Sequence, residues 1–372
     1  MRVAIVAECF LPETNGVTNS VLRVIEHLER RECQAMVIAP GCGPDHYRHA
    51  PVERVPAVGM PFYQSMAMAL PTRRVKDILA TYRPDVVHLA APVVLGAAGA
   101  RAAKALGIPS VAIYQTDLAA FGGRYGLRFA SGATWNWLRW VHNLADLTLA
   151  PSTLAAWTLR SRGIRPVGMW GRGVDLERFN PVHRSSLLRK RLAPNGELIA
   201  GYIGRLAPEK QVHLLAGLRG LPGVRTVVVG DGPSAAKLRQ AVPGATFTGF
   251  KSGAELSAHA ASFDVFVHTG ADETFCQSIQ EALASGVPVV APAAGGPLDL
   301  VRHRDNGLLY PAGDARLLRE AVADLGRHPV ERARMASAAR RSVDGRSWTA
   351  VGDQLLAHYE TLMPARQSRP AA

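Results

Sequence analysis

Along this chain, short unbroken apolar runs bounded by Gly, Pro and Asn alternate with longer stretches whose apolar residues recur every three or four positions. The first pattern predicts strands buried on both faces and the second amphipathic helices. In the first half the strands fall at residues 3–7, 35–39, 86–90, 111–114 and 147–150, with helices at 17–30, 74–82, 94–106 and 133–144. The alternation breaks into Gly, Pro and charge between Gly168 and Pro181, then resumes from about Ser185. Strands follow at 199–203, 226–229, 246–248, 265–267, 289–291 and 308–310, and a last helix at 348–362. Strand and helix in strict turn give parallel crossover units. At 372 residues the chain exceeds what one core holds, roughly 250–300 residues. The expectation is an α/β protein of two Rossmann-like, doubly wound domains, 1–182 and 183–345, with 365–372 a disordered tail.

Chemistry concentrates where strands run into helices, which is where open α/β sheets bind ligands. The densest stretch is 264–286: a strand, a polar turn, and a helix from about Phe275 closed by Gly286. Glu273 and Glu281 frame it, eight residues apart. A continuous helix at about 100° per residue does not set them side by side. Glu273 therefore belongs to the loop and Glu281 to the helix, where they reach different parts of one ligand or are simply solvated. Thr274, Phe275 and Cys276 lead into the helix N-terminus, whose N–H groups suit a phosphate. Upstream, Arg205 and Lys210 flank a Pro-containing loop that opens a helix. An Arg fork and a Lys point charge suit a diphosphate, surface charge being the plain alternative.

In the first half, Gly16 lies in a turn-rich loop that opens a helix, and it lets backbone approach a diphosphate. That loop lacks Gly-x-Gly-x-x-Gly, so no nicotinamide or flavin cofactor is indicated. His88 ends one strand, as a ligand contact or a core histidine; Gln115 and Asp117 end the next. Four cysteines, Cys9, Cys33, Cys42 and Cys276, show no metal or redox spacing and are read as reduced.

Gly204-Arg-Leu-Ala-Pro-Glu-Lys210 and Glu273-x7-Glu281, in this order, resemble the signatures of family 4 retaining glycosyltransferases. The resemblance covers nearly the whole chain. It implies the B fold: two Rossmann-like domains facing a cleft, a C-terminal helix (346–364) crossing back to the first, the acceptor on the first domain and the donor on the second. It implies that Arg205 and Lys210 hold the donor diphosphate, Glu273 the sugar hydroxyls and Glu281 the ribose. Gly230, Gly249, Phe250 and Lys251 would surround the nucleobase, and His88, Gln115 and Asp117 would contact sugar or acceptor. Many members carry His where this chain has Gln115, an amide that donates a hydrogen bond but carries no charge. No metal is implied to be required, and no Asp-x-Asp is present.

Within the family, Asn15-Gly-Val-Thr-Asn19, Tyr114-Gln-Thr-Asp117, Ala207-Pro-Glu-Lys210 and Glu273-Thr-Phe-Cys-Gln277 look most like mannosyltransferases that use GDP-mannose on glycolipid acceptors of the cell envelope. Transfer of sulfoquinovose or glucose from a UDP-sugar to diacylglycerol is the alternative. Outside the class stand a nucleotide-sugar 2-epimerase, which shares the fold, and a non-catalytic sugar-nucleotide binder.

Charge narrows the partners. The formal net charge is +13, with 21 Lys and Arg against 13 Asp and Glu in residues 1–185. Such an excess favours a phosphorylated substrate or an anionic membrane face, since no nucleic-acid module is recognisable. Arg124, Tyr125, Arg128, Phe129, Trp135, Trp137, Arg139 and Trp140 mix aromatic and basic character as a lipid-facing surface does, or as a buried helix pair. Residues 61–74 are a second candidate contact. No run reaches the ~18 apolar residues of a membrane span, so a cytoplasmic protein, peripheral at the inner membrane face, is expected.

Overall fold

The apolar runs fold as strands buried on both faces: residues 3–7, 86–90 and 265–267 expose essentially no surface. In this computed structural model, which describes residues 1–13, 15–60, 63–69, 73–115 and 131–363, the chain divides into two units. One is Met1–Arg172 with Trp348–Ala372, the other Gly173–Ser347. The second begins at Gly173 rather than at 183 because Val174 and Phe179 already belong to its core. Val174 also donates its N–H to the Arg346 carbonyl, at 2.9 Å, and bridges to Ser347. The predicted tail lies outside the described residues.

The first unit contains β1 (Arg2–Ala7), α1 (Gly16–Arg30), β2 (Gln34–Pro40), β3 (His46–Tyr47), β4 (Ala50–Val55), the hairpin β5 (Ala57–Met60) and β6 (Tyr63–Ala69), and α2 (Arg74–Tyr82). There follow β7 (Val86–Ala90), α3 (Leu95–Leu106), β8 (Ser110–Ile113), α4 (Ser131–His142), β9 (Leu147–Ala150), α5 (Thr153–Ser161) and β10 (Val167–Met169). Its sheet runs β10-β9-β8-β7-β1-β2-β4-β3, parallel except for the β3–β4 pair. Periodicity did not reveal β3, β4, β10 or the hairpin. β3 and β10 are only two and three residues long, and β4, with Pro-Val-Glu-Arg-Val, is interleaved with charge near a sheet edge.

The C-terminal helix, Trp348–Leu362, completes this unit by laying Val351, Leu355 and Tyr359 into the core that holds Val21, Val24, Ile25 and Leu28 of α1. Gly352 permits the approach, since a Cβ there would lie 2.4 Å from the His27 ring. Tyr359 then reaches the middle of the sheet, its hydroxyl 2.6 Å from Nδ1 of His88. His88 is thus a core residue and not a ligand-facing one. It is fully buried, Nε2 has no hydrogen-bond partner among the described residues, and burial brings its pKa down to about 3, so the ring is neutral.

The second unit contains α6 (Ser186–Leu192), β11 (Leu198–Ile203), β12 (Val224–Val229), α7 (Ala235–Ala241), β13 (Thr246–Gly249), α8 (Gly253–Ser262) and β14 (Val265–Val267). It continues with α9 (Gln277–Ala284), β15 (Val289–Pro292), β16 (Gly307–Tyr310), α10 (Ala315–Arg327) and α11 (Pro329–Arg341). Its parallel sheet runs β13-β12-β11-β14-β15-β16, so strand order reverses between β11 and β14. Helices leaving these neighbours pass to opposite faces, which opens a crevice at their carboxyl ends.

Tyr359→Phe would leave the His88 imidazole without its remaining partner inside the core. The expected cost is about 1–3 kcal/mol, read as a lowered melting temperature; an unchanged melting temperature would contradict this contact.

Candidate active site

The loops after β11 and β14 lie at that switch point, and they carry Arg205, Lys210 and Glu273. The first loop leaves β11 through Gly204 and turns into a short 3-10 helix, Pro208–Lys210. Lys210 Nζ lies 2.6 Å from Oε1 of Glu273, with both side chains largely buried. Thr269 Oγ1 donates to the Lys210 carbonyl at 2.6 Å and so binds the two loops together. Arg205 is exposed, and its guanidinium forms no ion pair among the described residues.

Glu273 meets a second cation that pattern reading missed. His268, one residue beyond β14, places Nε2 3.4 Å from the same Oε1, and Cys276 Sγ lies 3.6 Å from both ring nitrogens. Burial alone raises a carboxyl, but His268 and Lys210 outweigh it and hold Glu273 at about 2. Burial likewise opposes charging His268, yet the Cys276 sulfur and the Glu273 carboxylate bring it up to about 10. Lys210 is raised for the same reason: Glu273 overcomes the burial that would discharge it. The only sequence sign of His268 was a His at a strand end.

The His268, Glu273 and Cys276 ligand atoms lie within 4.8 Å of one another, a metal-sized cluster. Lys210 already presents an ammonium to the same carboxylate oxygen, a charge that disfavours a metal ion there. The Gly295–Gly296 turn fixes the loop from behind. Gly296 N–H donates to the Glu273 carbonyl at 2.7 Å, and a Cβ on Gly295 (φ 62°) would strike the carbonyls of Ala271 and Glu273.

Helix α9 begins at Gln277, two residues later than predicted, because Cys276 is still extended. The Cys276 side chain makes no capping hydrogen bond, and the positive end of the helix dipole faces this loop, a setting suited to an anion. Glu281 sits one turn on, partly buried. Burial pushes it up to about 7 against the opposing pull of Arg178 and Gln277.

The remaining predicted donor residues divide. Gly230 and Gly249 join the strand-end loops to one another: Gly230 N–H donates to the Gly249 carbonyl at 2.9 Å, and a Cβ on Gly230 would lie 2.0 Å from the Gly204 carbonyl. Phe250 is 74% exposed, a large ring open to a partner, and Lys251 pairs with Glu255 at 3.4 Å. Thr274 and Phe275 continue the loop into α9, Phe275 packing in the core.

In the first unit, Gly16 starts α1 beneath the Asn15 cap, which accepts from the N–H groups of Val17 and Thr18. A Cβ at Gly16 would lie 3.2 Å from Nη1 of Arg172, so this glycine makes room for a guanidinium of the protein itself. Arg172 donates to Oε1 of Gln115 at 3.0 Å, and Gln115 Nε2 donates to Ser20 at 3.4 Å. Burial lowers Arg172 to about 10, still cationic at neutral pH. Glu8, at the end of β1, accepts the N–H groups of Val93, Val94, Leu95 and Gly96 and fills the N-terminus of α3. Asp117, with Arg124, Tyr125, Arg128 and Phe129, lies outside the described residues.

Comparison with known proteins places this geometry. Two family models match, Glycosyltransferase Family 4 over residues 14–178 and Glycosyl transferases group 1 over 184–342. The chain is 50% identical to a GDP-mannose-dependent alpha-mannosyltransferase of Mycobacterium tuberculosis, covering 100% of this chain and 99% of that one. A Corynebacterium glutamicum protein of the same name is 47% identical, covering 100% and 91%. A sulfoquinovosyl transferase of Arabidopsis thaliana is 32% identical, covering 91% of this chain and 69% of its own. Among solved structures, Anabaena HepE in complex with UDP superposes with a TM-score of 0.82 at 22% identity, covering 97% of this chain and 100% of that one.

Between about pH 4.5 and 7 the folded chain keeps a proton on Glu281 that the unfolded chain has released, so stability declines as pH rises through that window. Glu281→Gln removes this dependence. Urea unfolding should show the variant gaining on wild type by on the order of 2 kcal/mol between pH 5 and pH 8; parallel profiles would place Glu281 in an ordinary solvated setting.

Proposed function

The chain belongs to the family 4 glycosyltransferases, and from that premise we propose that it moves mannose from GDP-mannose to a lipid-linked or glycolipid acceptor with retention of configuration. The observation that carries this reading is the buried Lys210–Glu273 pair on the loop that leads into the N-terminus of α9, at the switch point of the second sheet. About half identity over the full chain to proteins named for GDP-mannose supports the donor, against 32% for the sulfoquinovosyl enzyme.

Breaking the bond between the anomeric carbon and the diphosphate leaves positive charge on the sugar and negative charge on the departing phosphate. Arg205, Lys210 and the first N–H groups of α9 supply fixed positive charge for that leaving group, with no resident metal. Glu273, ionised, accepts hydrogen bonds from the sugar hydroxyls and orients the ring without attacking it. Glu281 binds the ribose, and Phe250 and Lys251 border the base. The acceptor oxygen attacks from the face the phosphate leaves, and its proton passes to a phosphate oxygen. On the first unit, Arg172 beside Gln115 supplies the charge that the amide lacks.

Both the acceptor and the basic excess favour a lipid surface as partner. No described helix is long and apolar enough to cross a membrane. In the first unit Trp137 and Trp140 are 43% and 41% exposed with rings 4.8 Å apart, and Trp157 is 65% exposed. Arg139 on the same helix and Arg160 on α5 add charge suited to anionic headgroups.

Purified protein given GDP-mannose and a glycolipid acceptor should form a mannosylated lipid. Lys210→Ala should cut turnover about 100-fold or more without unfolding the chain; undiminished turnover would remove Lys210 from the phosphate site. Isomerisation of the sugar nucleotide without acceptor would instead mark an epimerase. Binding to vesicles containing anionic lipid should fall about tenfold or more as salt rises from 0.05 to 0.5 M, and Trp140→Ala should weaken it further. Salt-independent binding would contradict the electrostatic contact.

A further inference from the structure

Within the site, Lys210 has two claims on it. It is the cation of the buried Glu273 carboxylate, at 2.6 Å, and in the reading above it is also a ligand of the diphosphate. One ammonium drawn toward phosphate oxygens loosens its hold on Glu273, and a buried carboxylate that loses its cation takes up a proton. Protonated, Glu273 would turn one oxygen into a donor and offer the sugar hydroxyls a weaker, uncharged acceptor.

The structure contains a second cation on that carboxylate. Lys210 and His268 converge on Oε1, and among the described residues no hydrogen bond reaches Oε2, which leaves that oxygen for a ligand. His268 is held from every side. Its N–H donates to the Val290 carbonyl at 2.8 Å, and its carbonyl accepts from the Tyr310 hydroxyl at 3.0 Å. Cys276 Sγ faces both ring nitrogens at 3.6 Å, and a Cβ on Gly270 would lie 3.3 Å from Nε2. The groups facing the ring are Glu273 and Cys276, with Lys210 behind Glu273. Tyr202 from β11 lies near the same carboxylate, and Glu209 from the first loop lies near Lys210.

We propose that His268 is a positioning residue for the transfer: an imidazolium seated against Cys276 that keeps Glu273 ionised while Lys210 serves the diphosphate. This rests on the function proposed above, and it adds a residue to the site that neither the Arg205–Lys210 motif nor the Glu273–Glu281 motif contains. The raised pKa of His268 agrees, since the ring then stays charged across the neutral range and loses its proton only as pH rises through about 10.

The test compares wild type with His268→Gln. In wild type, Glu273 remains ionised at every working pH, so this group imposes no acid limb on turnover. In the variant its pKa rises once donor binds. Turnover should then fall about tenfold or more at pH 6 and recover toward wild type by pH 8.5, with KM for the donor changed less than about threefold. A uniform loss at all pH values would mean that His268 only supports the fold, and would overturn the proposal. Independently, nitrogen-15 NMR of wild-type protein at pH 8, with and without GDP, should show a doubly protonated His268 ring. A neutral ring would overturn it even if the variant fails to fold. A wild-type chain that transfers no hexose would remove the functional reading and this inference with it, whereas a transferring wild type beside a variant of unchanged pH profile would remove the inference alone.

Discussion

A carboxylate kept ionised in a place that disfavours charge is the constraint on which the second unit is arranged. Burial pushes the Glu273 carboxyl toward its protonated form, and two cations from separate loops outweigh it. The arrangement is possible because strand order reverses between β11 and β14, so the loop that carries Lys210 and the loop that carries Glu273 leave neighbouring strands. Breaking one partner of such a group costs far more than an exposed ion pair would, because the other is left uncompensated in low dielectric. Geometry and electrostatics therefore specify each other here. The meeting of the loops adds the ammonium of Lys210 to the cation that His268 already supplies, and the charge of the carboxylate draws the loops together.

The same physics appears in the first unit with the opposite outcome. Two helix N-termini there are answered by the protein's own groups: Asn15 caps α1, and Glu8 takes four N–H groups at the start of α3. At the N-terminus of α9, Cys276 makes no capping hydrogen bond, and no described carboxylate is seen to take its N–H groups as Glu8 does in α3. A helix end satisfied internally has little left to offer an anion, whereas an uncapped end keeps its donors and its dipole. Both units use the same strand-to-helix junction, and it is the occupancy of that junction that separates packing from binding.

Glycines sharpen the contrast. Gly230, Gly295 and Gly352 are each required by a neighbouring carbonyl or ring of the protein. Gly16, which reads in sequence as a place for a ligand's phosphate, also makes room for Arg172. That guanidinium in turn binds Gln115, so this neutral amide is backed by a buried cation.

Local pattern was enough to determine the two parallel α/β units and most strand positions to within a residue or two, and to single out Lys210 and Glu273, which the fold brings to 2.6 Å. All of these depend on residue type at short spacing: buried parallel strands are continuously apolar, and strand-end loops concentrate polar groups. The fate of His88 and the role of His268 were not legible in this way. Both are histidines at a strand end, yet one is neutral under Tyr359, a residue 271 positions away, and the other is charged between Glu273 and Cys276. Whether an imidazole carries a proton depends on which groups the fold brings within a few ångströms and how much water it excludes. Those are long-range facts, so only the tertiary structure could decide them.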